Sequence, residues 1–225
     1  MAFVARHPDH RKCARYIGSV IVIEGEIGVG KTTLGRSIET YLQSIGLRCR
    51  FFPERVDYEL LNLFINDKHR YSFAFQIAML KNREQVYREA EEFSRSGGIS
   101  IVDRSLAGDM TFARMLMNSG HISADEFEVY MKISKEMNLL MPTITLYLES
   151  SIDTLLDRVN TRGIAIEKKY DRQYLTELKH EYEKTFENSK NLLRFDWSQP
   201  KPLSGDLLSD VEVKTLFDKI ASELF

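Results

Sequence analysis

Residues 25–32 read Gly-Glu-Ile-Gly-Val-Gly-Lys-Thr, a complete G-x-x-x-x-G-K-[ST] pattern. This stretch constrains the fold more than any other, because the motif works only between a strand and a helix. Successive backbone N–H groups must wrap an anion while the following helix aims its positive end at it. The flanks comply. Val20-Ile21-Val22-Ile23 is an apolar β-branched run, and Thr33 to Ser44 has a helical pattern. Gly25, Gly28 and Gly30 let the main chain close on phosphates, with Glu26, Ile27, Val29 and Thr33 completing the lining. Lys31 is placed to reach the β- and γ-phosphates, and Thr32 offers a hydroxyl to Mg²⁺. A Gly-rich turn that matched by chance would lack this context. The chain is therefore read as binding a nucleoside triphosphate.

The rest of the chain alternates in the same way. Strands are predicted at 19–24, 48–52, 99–102, 143–148 and 192–196. Helices are predicted at 31–45, 57–66, 71–96, 107–118, 123–140, 152–161, 171–190 and 209–223. Five short strands separated by helices imply an α/β fold: a five-stranded parallel sheet with helices on both faces. Parallel order gathers the strand C-termini on one edge, where ligands of such sheets bind.

Composition narrows the partners. A net charge of −2 leaves no electrostatic footprint for a nucleic-acid polymer. No apolar run approaches the ~20 residues of a membrane span. Cys13 and Cys49 form neither a disulfide framework nor a zinc site, which fits a reducing, cytoplasmic compartment. Residues 1–18 stand apart as a basic tail with Arg6, Arg11, Lys12 and Arg15 against Asp9. Its readings are a mobile or surface-docked tail, or a mitochondrial targeting segment. His7 and His10 within it have a spacing that suits a metal on a helix or, more simply, an exposed polar tail. Residues 19–225 form the main domain, with a lid around 158–170.

Several polar groups fall at predicted strand ends. The second strand runs into Pro53-Glu54-Arg55, where Glu54 is either a general base beside the phosphate loop or a solvated loop acid. The third runs into Asp103-Arg104-Ser105. Asp103 can hold Mg²⁺ through water, and Arg104 can stabilise a transferring phosphoryl group or orient Glu54. The plainer alternative is an Asp103–Arg104 ion pair. After the fourth strand, Arg158 and Arg162 share one helix face and suit a lid over the triphosphate, or else a solvated face. Glu167, Lys168 and Lys169 follow in a polar stretch. On the helix from Tyr71, Phe73 reads as core, whereas the Gln76 amide can match a nucleobase edge. Arg83 lies two turns further along the same face.

With these residues in place the sequence resembles the deoxynucleoside kinase family over roughly residues 18–190. The matching features are the phosphate loop, Phe52-Pro53-Glu54, Ser72-Phe73-Ala74-Phe75-Gln76, the Asp-Arg-Ser triplet at 103–105, Gly108-Asp109, Phe112-Ala113-Arg114, and Arg158, Arg162 and Gly163. The resemblance implies an ATP- and Mg²⁺-dependent kinase acting on the 5′-hydroxyl of a deoxynucleoside. Glu54 would be the base, Arg104 would hold it, and Thr32 with Asp103 would hold Mg²⁺. Gln76 would pair with the nucleobase, Phe75 and Phe112 would sandwich it, and Arg83 with Asp109 would select it. Glu167 would meet the 3′-hydroxyl, and a homodimer would form beside the 107–140 region. The charged pair implies that amino-bearing bases are preferred over thymidine. The chain departs from the family at Ile65, where a Tyr is usual, with Tyr58 or Tyr71 as stand-ins. It departs again at Ile164, where an Arg is usual, with Lys168 or Lys169 as substitutes. The alternatives are a thymidylate kinase and a kinase-like accessory subunit.

Overall fold

Val20 and Val22 alternate with Ile21 and Ile23, and both faces of this strand need cover. The computed structural model, which describes residues 7–199, 203–204 and 206–224, provides it. Ile21 and Ile23 join the large core containing Leu34, Ile38 and Leu42. Val20 and Val22 join a smaller one with Val86, Tyr87 and Ala90. Arg6 of the basic tail lies outside the described residues.

The chain runs α1 (His10–Cys13), β1 (Val20–Glu24), α2 (Lys31–Ser44), β2 (Cys49–Phe52), α3 (Tyr58–Asn66), α4 (Lys68–Arg95) and β3 (Ile99–Asp103). It continues through α5 (Leu106–Asn118), α6 (Ala124–Glu136), β4 (Ile144–Glu149), α7 (Ile152–Arg162), α8 (Arg172–Phe186) and β5 (Leu192–Asp196). A short pair, β6 (Leu203–Ser204) and β7 (Leu207–Leu208), precedes α9 (Asp210–Leu224). The main sheet has the order β2-β3-β1-β4-β5 and every pairing in it is parallel. β1 is central, with β3 on one side and β4 on the other, so the crevice for ligand opens beyond its carboxyl end.

Helix ends explain most departures from the predicted spans. α4 starts before residue 71 because the Asp67 carboxylate accepts from the Arg70 N–H at 3.2 Å, a side-chain cap. α6 and α8 stop short of 140 and 190. Asn138, two residues past α6, takes φ of 45°, a left-handed geometry that asparagine tolerates and a helix does not. The antiparallel β6–β7 pair was not anticipated. The basic tail is docked rather than loose from Asp9 onward. Cys13 and Tyr16 are buried, the Tyr41 hydroxyl donates to Asp9 at 2.9 Å, and Lys12 and Lys214 pair with Asp218 and Asp9. Among the described residues no helix is long and apolar enough to cross a membrane.

Candidate active site

Gly30 caps α2 with φ of 109°, a conformation that carries no penalty only for glycine. A Cβ there would also lie 3.2 Å from the Trp197 indole nitrogen. The turn exposes the helix N-terminus to the cavity. Lys31, nearly buried, donates to the carbonyls of Gly25 at 3.1 Å and Glu26 at 3.0 Å. Burial, with Arg104 close by, lowers its pKa to about 8. An anion entering the loop would offset that cost. The Glu26 side chain is fully buried, with the Tyr147 hydroxyl 3.5 Å away and its other oxygen unpartnered among the described residues. Burial raises its pKa.

The residues predicted at the ends of β2 and β3 converge. Glu54 accepts from Arg83 at 2.5 Å and from Arg104 Nε at 3.1 Å. Burial alone would raise its pKa, but Arg104, Arg83 and Lys31 outweigh that and hold it at about 2. Arg104 has φ of 73°, an uncommon geometry for a side-chain-bearing residue, and its N–H donates to the Ile23 carbonyl at 3.0 Å. Its guanidinium sits 4.7 Å over the Phe112 ring. It turns to Glu54 rather than to Asp103, so the Asp103–Arg104 ion pair does not form.

Asp103 accepts instead from the Thr32 hydroxyl at 3.1 Å, and its Oδ1 is buried without a hydrogen-bond partner among the described residues. A hydroxyl beside a half-satisfied buried carboxylate at the foot of the phosphate loop is an oxygen donor set that fits Mg²⁺. Burial raises the Asp103 pKa against the pull of Lys31.

These groups open into one cavity of about 720 Å³, which runs from the phosphate loop to α4 and α8. Phe75, Gln76, Asp109, Phe112 and Glu167 line it together with Glu54 and Arg104. Gln76 is 2% exposed and its amide makes no hydrogen bond among the described residues. Phe75 stacks on Phe64 with centroids 4.8 Å apart. Arg83 donates to the Asp103 carbonyl at 2.7 Å and stands 3.7 Å from Asp109. It therefore serves Glu54 first and Asp109 second. Asp109 also accepts from Tyr130 at 2.8 Å, and burial raises its pKa despite Arg83.

The two arginines expected on a lid split. Arg158 donates to the carbonyls of Val29 at 2.9 Å and Trp197 at 2.8 Å, which ties α7 to the phosphate loop and to the segment after β5. Arg162 lies 3.3 Å from Glu167. Neither lysine offered in place of Ile164 lines the cavity; Lys169 donates outward to Asn66 at 2.6 Å. Tyr71 does not line it either, and Tyr58 sits half exposed at its rim.

Three residues escaped the sequence reading. Glu24 ends β1 fully buried and takes both the N–H and the hydroxyl of Ser105 on one oxygen. A Cβ at Gly108 would lie 2.5 Å from that carboxylate. Its signal, an acid closing an apolar strand, is the one that drew notice to Asp103. Trp197 follows β5 and walls the phosphate loop. Tyr170, three residues after Glu167, is buried in the cavity wall.

Comparison with known proteins agrees with this arrangement. The family model described as Deoxynucleoside kinase matches residues 21–218. Deoxyadenosine/deoxycytidine kinase of Bacillus subtilis (strain 168) is 29% identical over 213 residues, covering 91% of this chain and 92% of that one. Deoxyadenosine kinase of Dictyostelium discoideum is 27% identical over 216 residues, covering 92% and 85%. Deoxyguanosine kinase of Bacillus subtilis (strain 168) reaches 32% over 170 residues, covering 72% and 76%. Among solved structures, deoxyadenosine kinase from M. mycoides with bound dCTP superposes with a TM-score of 0.69 at 20% identity, covering 90% of this chain and 99% of that one. The chain belongs to the deoxynucleoside kinase family, and its phosphate-loop fold is the fold of that structure.

Proposed function

We propose that this kinase transfers the γ-phosphoryl group of ATP to the 5′-hydroxyl of a deoxynucleoside and prefers bases with an exocyclic amino group over thymidine. One observation carries the reading: Glu54, clamped by two arginines, faces the same cavity as the phosphate loop. The Glu54 carboxylate accepts a hydrogen bond from the 5′-hydroxyl and aims its lone pair at phosphorus. A pKa of about 2 makes it a weak base toward the free alcohol. That suits a loose transition state, in which the proton leaves late, once the bond to phosphorus has made it acidic. Arg104, Lys31 and the lid arginines Arg158 and Arg162 offset charge on the transferring group. Thr32 and Asp103 would hold Mg²⁺, which when bound supplies further neutralisation of phosphate charge.

In the base pocket the unpartnered Gln76 amide pairs with the base edge, between Phe75 and Phe112. Asp109 accepts from an exocyclic amino group. Thymine, with a methyl and a carbonyl, would leave the Arg83–Asp109 pair poorly compensated. The relatives named for deoxyadenosine, deoxycytidine and deoxyguanosine support that order. A thymidylate kinase reading is disfavoured because a nucleotide phosphate would meet the Glu54 carboxylate. Intact Lys31, Thr32 and Asp103 disfavour an accessory subunit.

The reading takes residues 1–18 as a tail on one kinase domain, a lid around 158–170, and a homodimer through the 107–140 region, where Val129 and Leu140 are exposed. It takes the compartment as cytoplasmic, in keeping with two free buried thiols. Assaying the four natural deoxynucleosides with ATP and Mg²⁺ tests the activity; thymidine as the best substrate would overturn the base assignment. Sedimentation at two concentrations tests the dimer.

A further inference from the structure

Among the described residues other than glycine and asparagine, Arg104 alone has a φ in the left-handed region, at 73°. Glycine and asparagine visit that region at little cost. An arginine there is strained, and it stays only when its surroundings over-determine the backbone. Three hydrogen bonds do so here. The Arg104 N–H donates to the Ile23 carbonyl at 3.0 Å. The Arg104 carbonyl accepts from Arg83 at 3.3 Å. The next N–H, of Ser105, donates to Glu24 Oε1 at 2.5 Å, and the Ser105 hydroxyl donates to the same oxygen.

The Glu24 carboxylate is itself held still. It is fully buried, and the Tyr182 hydroxyl donates to its second oxygen at 3.4 Å. The first turn of α5 closes over it. A Cβ at Gly108 would lie 2.5 Å from both of its oxygens and 2.8 Å from Arg104 Cγ. While donating to Glu24, the Ser105 hydroxyl accepts from the Gly108 N–H at 3.1 Å, so the helix cap and the carboxylate fix each other. Three donors converge on this side chain, and no apolar residue could receive them. Burying an acid costs free energy unless such bonds offset it. Yet Glu24 does not line the cavity, and the chemistry proposed above makes no use of it.

We infer that Glu24 is a positioning residue for phosphoryl transfer. Its Oε1 holds the Ser105 N–H, and that bond keeps Arg104 in its left-handed turn. The turn delivers the guanidinium to Glu54, 3.1 Å from Nε, and over the Phe112 ring. The inference rests on the kinase reading and goes beyond its site residues. What the site takes from Glu24 is an acceptor at the right reach, not a negative charge.

Two near-isosteric variants separate reach from charge. Glu24→Gln keeps an acceptor oxygen at the same reach and loses the charge. Glu24→Asp keeps the charge and withdraws both oxygens by one methylene. Each is assayed with ATP, Mg²⁺ and the best natural deoxynucleoside, in wild type and in Arg104→Gly. Glycine takes the left-handed turn without strain, and the guanidinium is gone. That background should turn over about 10²–10³-fold more slowly than wild type, within reach of a radiolabel assay. Thermal melts check that every variant folds.

Glu24→Asp is expected to lower kcat on the order of 10²-fold, the cost of a misplaced group, with KM for both substrates little changed. Glu24→Gln should recover most of that loss. In Arg104→Gly neither change should lower kcat further. An active aspartate variant beside an impaired glutamine variant would overturn the assignment, because charge would then be what matters. So would unchanged kcat in both. The same fractional loss from Glu24→Asp in both backgrounds would mean general loosening of the fold, and a loss confined to KM for ATP would assign Glu24 to the phosphate loop; either sinks the inference. If Glu24→Asp does not fold, Ser105→Ala takes its place, since it removes one of the two bonds to Oε1. A loss of roughly five- to tenfold in kcat is then expected, the scale of one hydrogen bond, and it should vanish in Arg104→Gly. No loss, or an equal loss in both backgrounds, overturns the assignment. A wild-type enzyme that phosphorylates no deoxynucleoside removes the kinase reading and this inference together. An active wild type with any of the overturning patterns removes the inference alone.

Discussion

Arg83, from the middle of α4, and Glu54, from the loop after β2, meet at 2.5 Å. The arginine is almost wholly buried and its other nitrogen is fixed by the Asp103 carbonyl at 2.7 Å. The carboxylate is thus locked to both β2 and β3 before any substrate binds. Glu54→Gln keeps the shape and removes the proton acceptor. Turnover is expected to fall about 10²–10⁴-fold with nucleoside binding retained. Isothermal titration beside a phosphoryl-transfer assay checks this, and near wild-type turnover would remove Glu54 from the chemistry.

On the proposed reading, the same contact couples base selection to catalysis. Replacing Arg83 by Met and Asp109 by Ala removes the charges proposed to disfavour thymine, so the thymidine to deoxyadenosine ratio of kcat/KM should rise. Because Arg83 also clamps Glu54, kcat should fall on every substrate. Asp109→Ala alone should shift the ratio with a smaller loss of kcat. A double variant with an unchanged ratio would place base selection elsewhere.

Glu26 yields a stability prediction with a definite sign. Burial raises its pKa in the folded chain above the ordinary 4.5. Its contribution to stability is therefore fully present below that value and is lost as pH rises through the folded value. Glu26→Gln removes this loss. The variant should melt close to wild type near about pH 4 and above it near about pH 8, by roughly 2–4 °C for each kcal/mol recovered. Thermal melts across that range decide the matter; a gap that narrows with rising pH would show that Glu26 is stabilised as the anion.

Trp197 is the sole tryptophan in the chain, and it walls the phosphate loop against Gly30. Adding ATP or ADP should change its emission saturably, while a deoxynucleoside alone should change it little. Arg158→Ala, which frees the carbonyls of Val29 and Trp197, should weaken that response and lower turnover more than it raises KM for nucleoside. An emission spectrum indifferent to nucleotide would separate this indole from the donor site.

Legibility in the sequence followed how local each signal was. The phosphate loop, Glu54 and Asp103-Arg104 sit at strand ends, where an apolar run breaking into a charge is visible in one dimension, and the structure brings all three to one cavity. Arg83 was placed on the right helix face but assigned to Asp109 alone. Its shorter bond, to Glu54, spans elements whose distance no periodicity encodes. The lid was read from the four-residue spacing of Arg158 and Arg162, yet that spacing says nothing of the Val29 and Trp197 carbonyls. Tyr170 was missed because a 3-10 turn of three residues leaves no pattern longer than itself. The helix ends at Lys68 and Glu136 were set by an Asp cap and by an asparagine in left-handed geometry, which outweighed propensity.

Glu24 stands immediately before the first glycine of the phosphate loop and binds Ser105, which immediately follows the arginine that holds Glu54. Donor and acceptor are therefore gauged from a single origin inside the sheet. A displacement of β1 carries both reactants with it, so the gap the phosphoryl group must cross is a dimension of the scaffold and not of the loops around it.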